Sequence, residues 1–170
     1  GSAAALVALS PLMLLAALSV RLHDGGPAFY RQTRVTEGGR TFQLYKFRTM
    51  VQNAESNGAE MASNHDGRVT AVGRWLRMLR IDELPQLFNI LKGDMSIVGP
   101  RPERPELIEQ YCRQYPEFRY RLKVKAGLTG YAQVFGRYNT LFEDKLKLDL
   151  LYIQHFSLIF DFYLMISTVK

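Results

Sequence analysis

Leu79–Pro102 reads LRIDELPQLFNILKGDMSIVGPRP, and its two halves decide how the rest of the chain is organised. The first half sets two adjacent carboxylates, Asp82 and Glu83, ahead of an apolar-periodic run of Leu84, Leu87, Phe88 and Leu91 that ends at Gly93. This pattern predicts a helix with Asp82 as N-cap, Pro85 tolerated in the first turn and glycine at the stop. The second half continues as GDMSIVGPRPERPE, whose three prolines and glycines present Arg101 and Arg104. Proline fixes φ, so such a turn holds its side chains at little entropic cost and suits aiming a guanidinium at an anion.

Upstream, AVGRWLRMLR places Trp75, Leu76 and Leu79 among Arg74, Arg77 and Arg80. That is a basic amphipathic helix, which fits a membrane surface and fits a solvated face nearly as well. Residues 51–70 are polar and aperiodic and read as a loop; His65 and Asp66 have no His or Cys at ligand spacing and belong to a turn. Before them, AFYRQTRV and RTFQLYKFRTM, separated by TEGG, read as a β-hairpin. The second strand puts Lys46 and Arg48 on one side; a solvated strand end is the plain reading of that pair.

Ala3 to Val20 is almost wholly apolar, interrupted by Ser10, Pro11 and Ser19 and followed by Arg21, His23 and Asp24. A straight span needs roughly 20 apolar residues, and Pro11 predicts a break or bend because it removes one backbone donor. Ser10 is placed to offer its hydroxyl to the backbone. A buried core helix, a straight transmembrane helix and a re-entrant hairpin all fit this composition.

Downstream, helices are predicted from about Pro105 to Gln114, from Pro116 to Lys123, and from Thr140 to about His155 with Asp144, Asp149 and Tyr152 on its more polar side. SLIFDFYLMISTV reads as a last apolar, aromatic helix. KAGLTGYAQVFGR is a glycine-punctuated loop flanked by Lys125 and Arg137. It matches neither the dinucleotide fingerprint nor the P-loop.

The 170 residues, 47% hydrophobic, suit one domain with a substantial core, and the net charge of +6 favours polyanionic partners. Cys112 is the only cysteine, which excludes an internal disulfide framework and favours a reducing compartment. The fold class expected is α/β, mostly helical with a small β-hairpin.

Ser10-Pro11 within the apolar segment, YKFRTM, IDELPQLFNILKGDMSIVGPRP and GLTGYAQVFGR together resemble the bacterial sugar transferase family, the monotopic phosphoglycosyl transferases. The resemblance implies transfer of a hexose 1-phosphate from a nucleoside diphosphate sugar, usually UDP-linked, to a polyprenyl phosphate such as undecaprenyl phosphate. The reaction is the first membrane step of polysaccharide or glycoconjugate assembly. It further implies Asp82 as nucleophile forming an aspartyl phosphosugar, Glu83 as the Mg²⁺ ligand and Arg101 on phosphate. The membrane segment, residues 1–24, would be re-entrant and turned at Ser10-Pro11, its first two residues being an expression scar. Residues 25–170 would form a catalytic domain facing the cytoplasm at the bacterial inner membrane. Family members often read RPG[IL]TG where this chain has Lys125-Ala126-Gly127, so a role for arginine there passes only to Lys125.

Lys46, Arg48, Lys125, Arg137 and Asp149 complete the set expected to bind substrate, the last three as guesses for uridine. Membrane lipids are expected partners and nucleic acid is not; a homo-oligomer stays open. Two other readings remain: a Mg²⁺-dependent phosphohydrolase on the same acidic pair, and a basic nucleic-acid-binding module stacking bases on Tyr45, Phe47 and Trp75. The module leaves the apolar N-terminal run and the DELP block unexplained.

Overall fold

The computed structural model of the chain describes residues 1–54, 66–136 and 141–168. They are mostly helical, with two small two-stranded sheets. The elements are α1 (Ser2–Asp24), β1 (Phe29–Val35), β2 (Thr41–Phe47), α2 (Ala71–Met78), α3 (Gln86–Leu91), β3 (Ser96–Val98), α4 (Pro105–Gln114), β4 (Gly127–Thr129), α5 (Tyr131–Phe135), α6 (Phe142–Gln154) and α7 (Leu158–Thr168). The chain forms two compact units, Gly1–Gln32 with Tyr45–Phe88, and Thr33–Leu44 with Asn89–Lys170. The predicted hairpin is present, its strands shared between the units.

In the first unit, Met13, Ala16 and Val20 recur on one face of α1 and bury against Phe47 and Leu76, with Ile81 and Leu84 at the margin. Leu14, Leu15 and Leu18 on the other side stay exposed. Helical structure runs unbroken through Pro11, where the sequence predicts a break or bend. Pro11 has no N–H for the Val7 carbonyl, and Ser10 Oγ donates to that same carbonyl at 2.8 Å, so the missing backbone bond is replaced. Gly25 stops α1 in the left-handed region, φ 70°, and its N–H returns to the Arg21 carbonyl at 2.9 Å.

Thr70 caps α2, accepting the Gly73 N–H at Oγ1, 2.9 Å. Gly73 lies so close to Thr49 that a Cβ there would overlap the Thr49 backbone. Leu76 faces the core while Trp75 and Met78 are exposed, as the amphipathic pattern requires. Arg77 Nε donates to Thr49 Oγ1 at 2.8 Å. In the loop after β2, Arg68 clasps Asp66, Nη2 to Oδ2 at 2.7 Å, and holds that carboxyl down at about 2. His65 lies outside the described residues.

The second unit contains a sheet that the sequence did not suggest. Strands β3 and β4 pair in parallel, Ser96 opposite Gly127 and Val98 opposite Thr129. Each has three residues, too few for alternation to register, and glycine allows the close approach: a Cβ on Gly127 would strike the Gly99 backbone. Val98, Tyr152 and Leu164 form one core, and Phe42, Leu44 and Met95 another. Asn89, fully buried, ties α3 to the hairpin by donating Nδ2 to the Gln43 carbonyl at 2.7 Å. On α6, Asp149 and Tyr152 are buried, not on a polar face as expected. Tyr152 Oη donates to Asp161 Oδ1 at 2.8 Å, so the hydroxyl leaves water with a partner in hand.

Candidate active site

The predicted helix start at Asp82 is a 3₁₀ turn, Ile81–Glu83, and α3 begins only at Gln86. Pro85 is the cause. It cannot donate to the Ile81 carbonyl four residues back, so Leu84 N–H takes that carbonyl at 3.1 Å and the turn tightens. Asp82 is therefore not an N-cap. Arg80 precedes the turn in the left-handed region, φ 54°, the one non-glycine residue there among those described. Such a conformation costs about 1–2 kcal/mol, and local strain of this kind is held in place by its surroundings.

Successive residues of a 3₁₀ turn diverge by about 120°, and here the divergence separates two environments. Asp82 points inward and is only 9% exposed. Glu83 is half-buried, and its Oε1 accepts from Lys46 Nζ at 2.8 Å. Burial pushes the Asp82 carboxyl above the usual carboxylate range; Lys46 and Arg77 pull it down, and the charge of Glu83 pushes it further up. Lys46 is delivered by β2, so its ammonium is an ion-pair partner for the acidic turn and not a solvated strand end.

Arg48, two residues on, is 7% exposed and ion-paired through Nη2 with Asp24 at the end of α1. The structure thus brings Asp82, Glu83 and Lys46 together and gives Arg48 a different partner. Asp24 and Arg77 were not singled out from sequence: each is one charge among several at a helix end or on a basic helix, with no local pattern to mark it.

The other candidates belong to the second unit. The Gly-Pro-Arg-Pro turn is anchored through four successive carbonyls. Pro100 O accepts from Gly127 N–H at 2.9 Å, Arg101 O from Arg121 Nη2 at 3.0 Å, Pro102 O from Arg34 Nη1 at 3.1 Å, and Glu103 O from Val35 N–H at 2.9 Å. The turn is held as its prolines suggested, with Arg101 at its exposed crest. Lys125 is exposed and reaches towards Gly93, its Nζ 3.9 Å from where a Cβ on that glycine would stand.

Asp149 is buried and already ion-paired. Its Oδ2 accepts from Arg121 Nε at 2.8 Å, and both side chains are buried. In the sequence Arg121 is one of three cations, with Arg119 and Lys123, between Pro116 and Lys123, and nothing local marks its role. Arg137 lies outside the described residues.

Among the described residues no group of three or more His, Cys, Asp and Glu side chains could hold a metal ion. The donor chemistry of Asp82 and Glu83 still suits Mg²⁺, a hard cation bound through one or two carboxylates that fills its other positions with water and substrate phosphate.

The sequence pattern described as "Bacterial sugar transferase" matches residues 1–170. The UDP-N-acetylgalactosamine-undecaprenyl-phosphate N-acetylgalactosaminephosphotransferase of Aeromonas hydrophila is 46% identical over 95% of this chain and 39% of its own length. The UDP-glucose:undecaprenyl-phosphate glucose-1-phosphate transferase of Caulobacter vibrioides is 46% identical over 99% of this chain and 65% of its own. The exopolysaccharide production protein ExoY of Sinorhizobium fredii is 39% identical over 97% and 78%. The chain spans 39% and 65% of the first two of these relatives.

Proposed function

Because the chain belongs to the bacterial sugar transferase family, we propose that it is the catalytic part of a phosphoglycosyl transferase that moves a hexose 1-phosphate from a UDP-linked sugar to undecaprenyl phosphate. The observation that carries this reading is the acidic turn: a buried Asp82 of raised basicity beside a Glu83 held by Lys46 at 2.8 Å. The names of the relatives, which pair a UDP-sugar with undecaprenyl phosphate, support the donor and acceptor.

In the proposed reaction an Asp82 carboxylate oxygen bonds to the sugar-bearing phosphorus as the phosphoanhydride P–O bond breaks. The nucleoside monophosphate leaves with the electron pair. A phosphate oxygen of the polyprenyl phosphate then attacks the same phosphorus, the Asp82–phosphorus bond breaks, and the carboxylate is regenerated. The leaving group is good, so a carboxylate suffices as nucleophile. The harder problem is bringing one anion to another. Mg²⁺, when bound with Glu83, would neutralise phosphate charge. Lys46 keeps Glu83 aimed and supplies positive charge beside Asp82, and Arg101 is proposed as a phosphate ligand on its anchored turn.

We also propose shallow insertion of α1 into the inner membrane from one face, with the active site on the cytoplasmic face. α1 is the one helix among the described residues long and apolar enough to cross a bilayer. From Met13 to Val20, however, one face of it is packed on the unit's own core. The part before Met13 is about 16 Å long, roughly half of a hydrocarbon core of about 30 Å.

The test is nucleoside monophosphate release from a panel of nucleotide sugars, with and without undecaprenyl phosphate. Release that depends on the lipid and yields a lipid-linked phosphosugar is the expected result. Repeated turnover to water without lipid, beyond the one equivalent per enzyme that loading Asp82 releases, or no release with any donor, overturns it.

A further inference from the structure

An open cavity of about 890 Å³ lies along α1, walled by Leu14 and Leu18 and by the start of β1 at Phe29, with Arg21, Arg31 and Arg48 also facing it. Its polarity follows from helix spacing. Leu14 and Leu18 stand one turn apart on α1 and Arg21 nearly one turn further on, so the groove passes from apolar to cationic towards the C-terminal end of the helix. At that end Arg48 Nη2 is paired with Asp24, while its Nε and Nη1 are buried without a hydrogen-bond partner among the described residues.

Two buried donors of a charged group left unmade are costly, and an anion's oxygens would satisfy both. Gly26 lets the guanidinium pack against the backbone, since a Cβ there would lie 2.6 Å from Arg48 Nη1 and from Nε2 of Gln52, and Gln52 closes the space beside Nη1. Gln52 is exposed and holds Asp24 O only at 3.5 Å, so its side chain can swing away from the guanidinium.

We infer that this groove is the seat of the acceptor lipid, with the phosphate monoester on Arg48, Arg21 and Arg31 and the first isoprene units along Leu14, Leu18 and Phe29. The inference rests on the acceptor named under the proposed function. Charge selects this occupant. Among the described residues, three guanidinium groups against the carboxylate of Asp24 leave a surplus of two positive charges, which suits a phosphate monoester of about −1.5 to −2. A bilayer phosphodiester carries one negative phosphate charge. Chain order agrees, since Arg48 follows Lys46 by two residues, a backbone rise of about 7 Å, so one stretch of chain carries the cation of the groove and the partner of Glu83.

The experiment uses the full chain in phosphatidylcholine nanodiscs with a benzophenone-bearing isoprenyl phosphate. Irradiation is expected to label residues 14–31, and undecaprenyl phosphate should compete. Undecaprenol, inorganic phosphate, dioleoyl phosphatidylglycerol and dioleoyl phosphatidate should compete at least tenfold less well. Equal competition by undecaprenol, or by either dioleoyl lipid, overturns the inference, as does labelling elsewhere.

In turnover, Arg48→Lys should raise the KM for undecaprenyl phosphate about tenfold with the donor KM little changed. Leu18→Trp, a larger apolar side chain at an exposed position, should do the same by filling the groove; an unchanged acceptor KM in both variants overturns it. If wild type is labelled in the groove yet releases no nucleoside monophosphate from any donor, the transferase reading fails and the lipid-phosphate seat stands. Lipid-dependent release without groove labelling keeps the transferase and overturns the seat.

Discussion

Asp149 Oδ2 accepts from Arg121 Nε at 2.8 Å, and the same guanidinium donates through Nη2 to the Arg101 carbonyl at 3.0 Å. One buried ion pair thus fixes the backbone of the Gly-Pro-Arg-Pro turn from beneath, while Arg121 also stacks on Phe118, its Cζ 4.6 Å from the ring centre. Burial pushes the Asp149 carboxyl up and Arg121 pulls it back. Asp149→Ala leaves Arg121 charged and unpaired, and should destabilise the chain by about 3–5 kcal/mol. The paired change Arg121→Met with Asp149→Leu should restore much of that stability but not the hold on the Arg101 carbonyl. Denaturation in detergent measures the first effect and a raised donor KM in the paired variant the second; an intact donor KM there would show that the turn does not need Arg121.

The second prediction concerns pH. The folded-state pKa of Asp82 is raised by burial, so the native state binds this proton more tightly than the unfolded chain. Between the ordinary carboxylate pKa and the raised one, stability then falls as pH rises, and the cost is fully present above the raised value. Asp82→Asn removes that cost. It should raise the melting temperature at neutral pH while reducing turnover at least about a thousandfold, as loss of a nucleophile does. The wild-type rate should fall on acidification at a higher pH than an exposed aspartate would give. A melting temperature lowered by Asp82→Asn would contradict the buried-charge account.

How much of this was legible beforehand differs by element. The hairpin, the basic helix around Trp75 and the acidic pair were written in local patterns: alternation, a 3.6-residue stripe, a DELP block. Strands β3 and β4 were not, because three residues carry no period and their pairing joins Ser96 to Gly127 across a gap that no local rule spans. Asp149 failed for the same reason. A carboxylate on an amphipathic helix looks solvated until Arg121, 28 residues earlier, is brought beside it. The N-cap expected at Asp82 fails locally, since Pro85 fits a first helical turn by rule but its missing N–H here converts the turn to 3₁₀ geometry.

Lys46 gives the third prediction. Its ammonium is the partner of Glu83 and lowers the Asp82 carboxyl. Lys46→Met should remove both effects, reducing turnover by about two orders of magnitude, and move the acidic limb of the rate profile to higher pH, because Asp82 loses a stabilising charge. Lys46→Arg should restore the acidic limb more than the rate, since the guanidinium keeps the charge but not the compact geometry. An acidic limb unmoved in Lys46→Met would separate Lys46 from Asp82.

The last prediction is a double-mutant cycle in α1. Ser10 Oγ donates to the Val7 carbonyl, whose helical donor is the N–H that Pro11 lacks. In the proposed bilayer, Ser10→Ala alone should leave that carbonyl unsatisfied, at a cost of about 1–3 kcal/mol. Pro11→Ala alone restores the backbone donor and should be neutral or stabilising. In the Pro11→Ala background Ser10→Ala should cost almost nothing, because the carbonyl no longer needs the hydroxyl. Melting temperatures of the four chains in one nanodisc composition give the coupling. Additive losses would mean that the hydroxyl and the proline act separately, and that Ser10 is not what keeps the helix continuous.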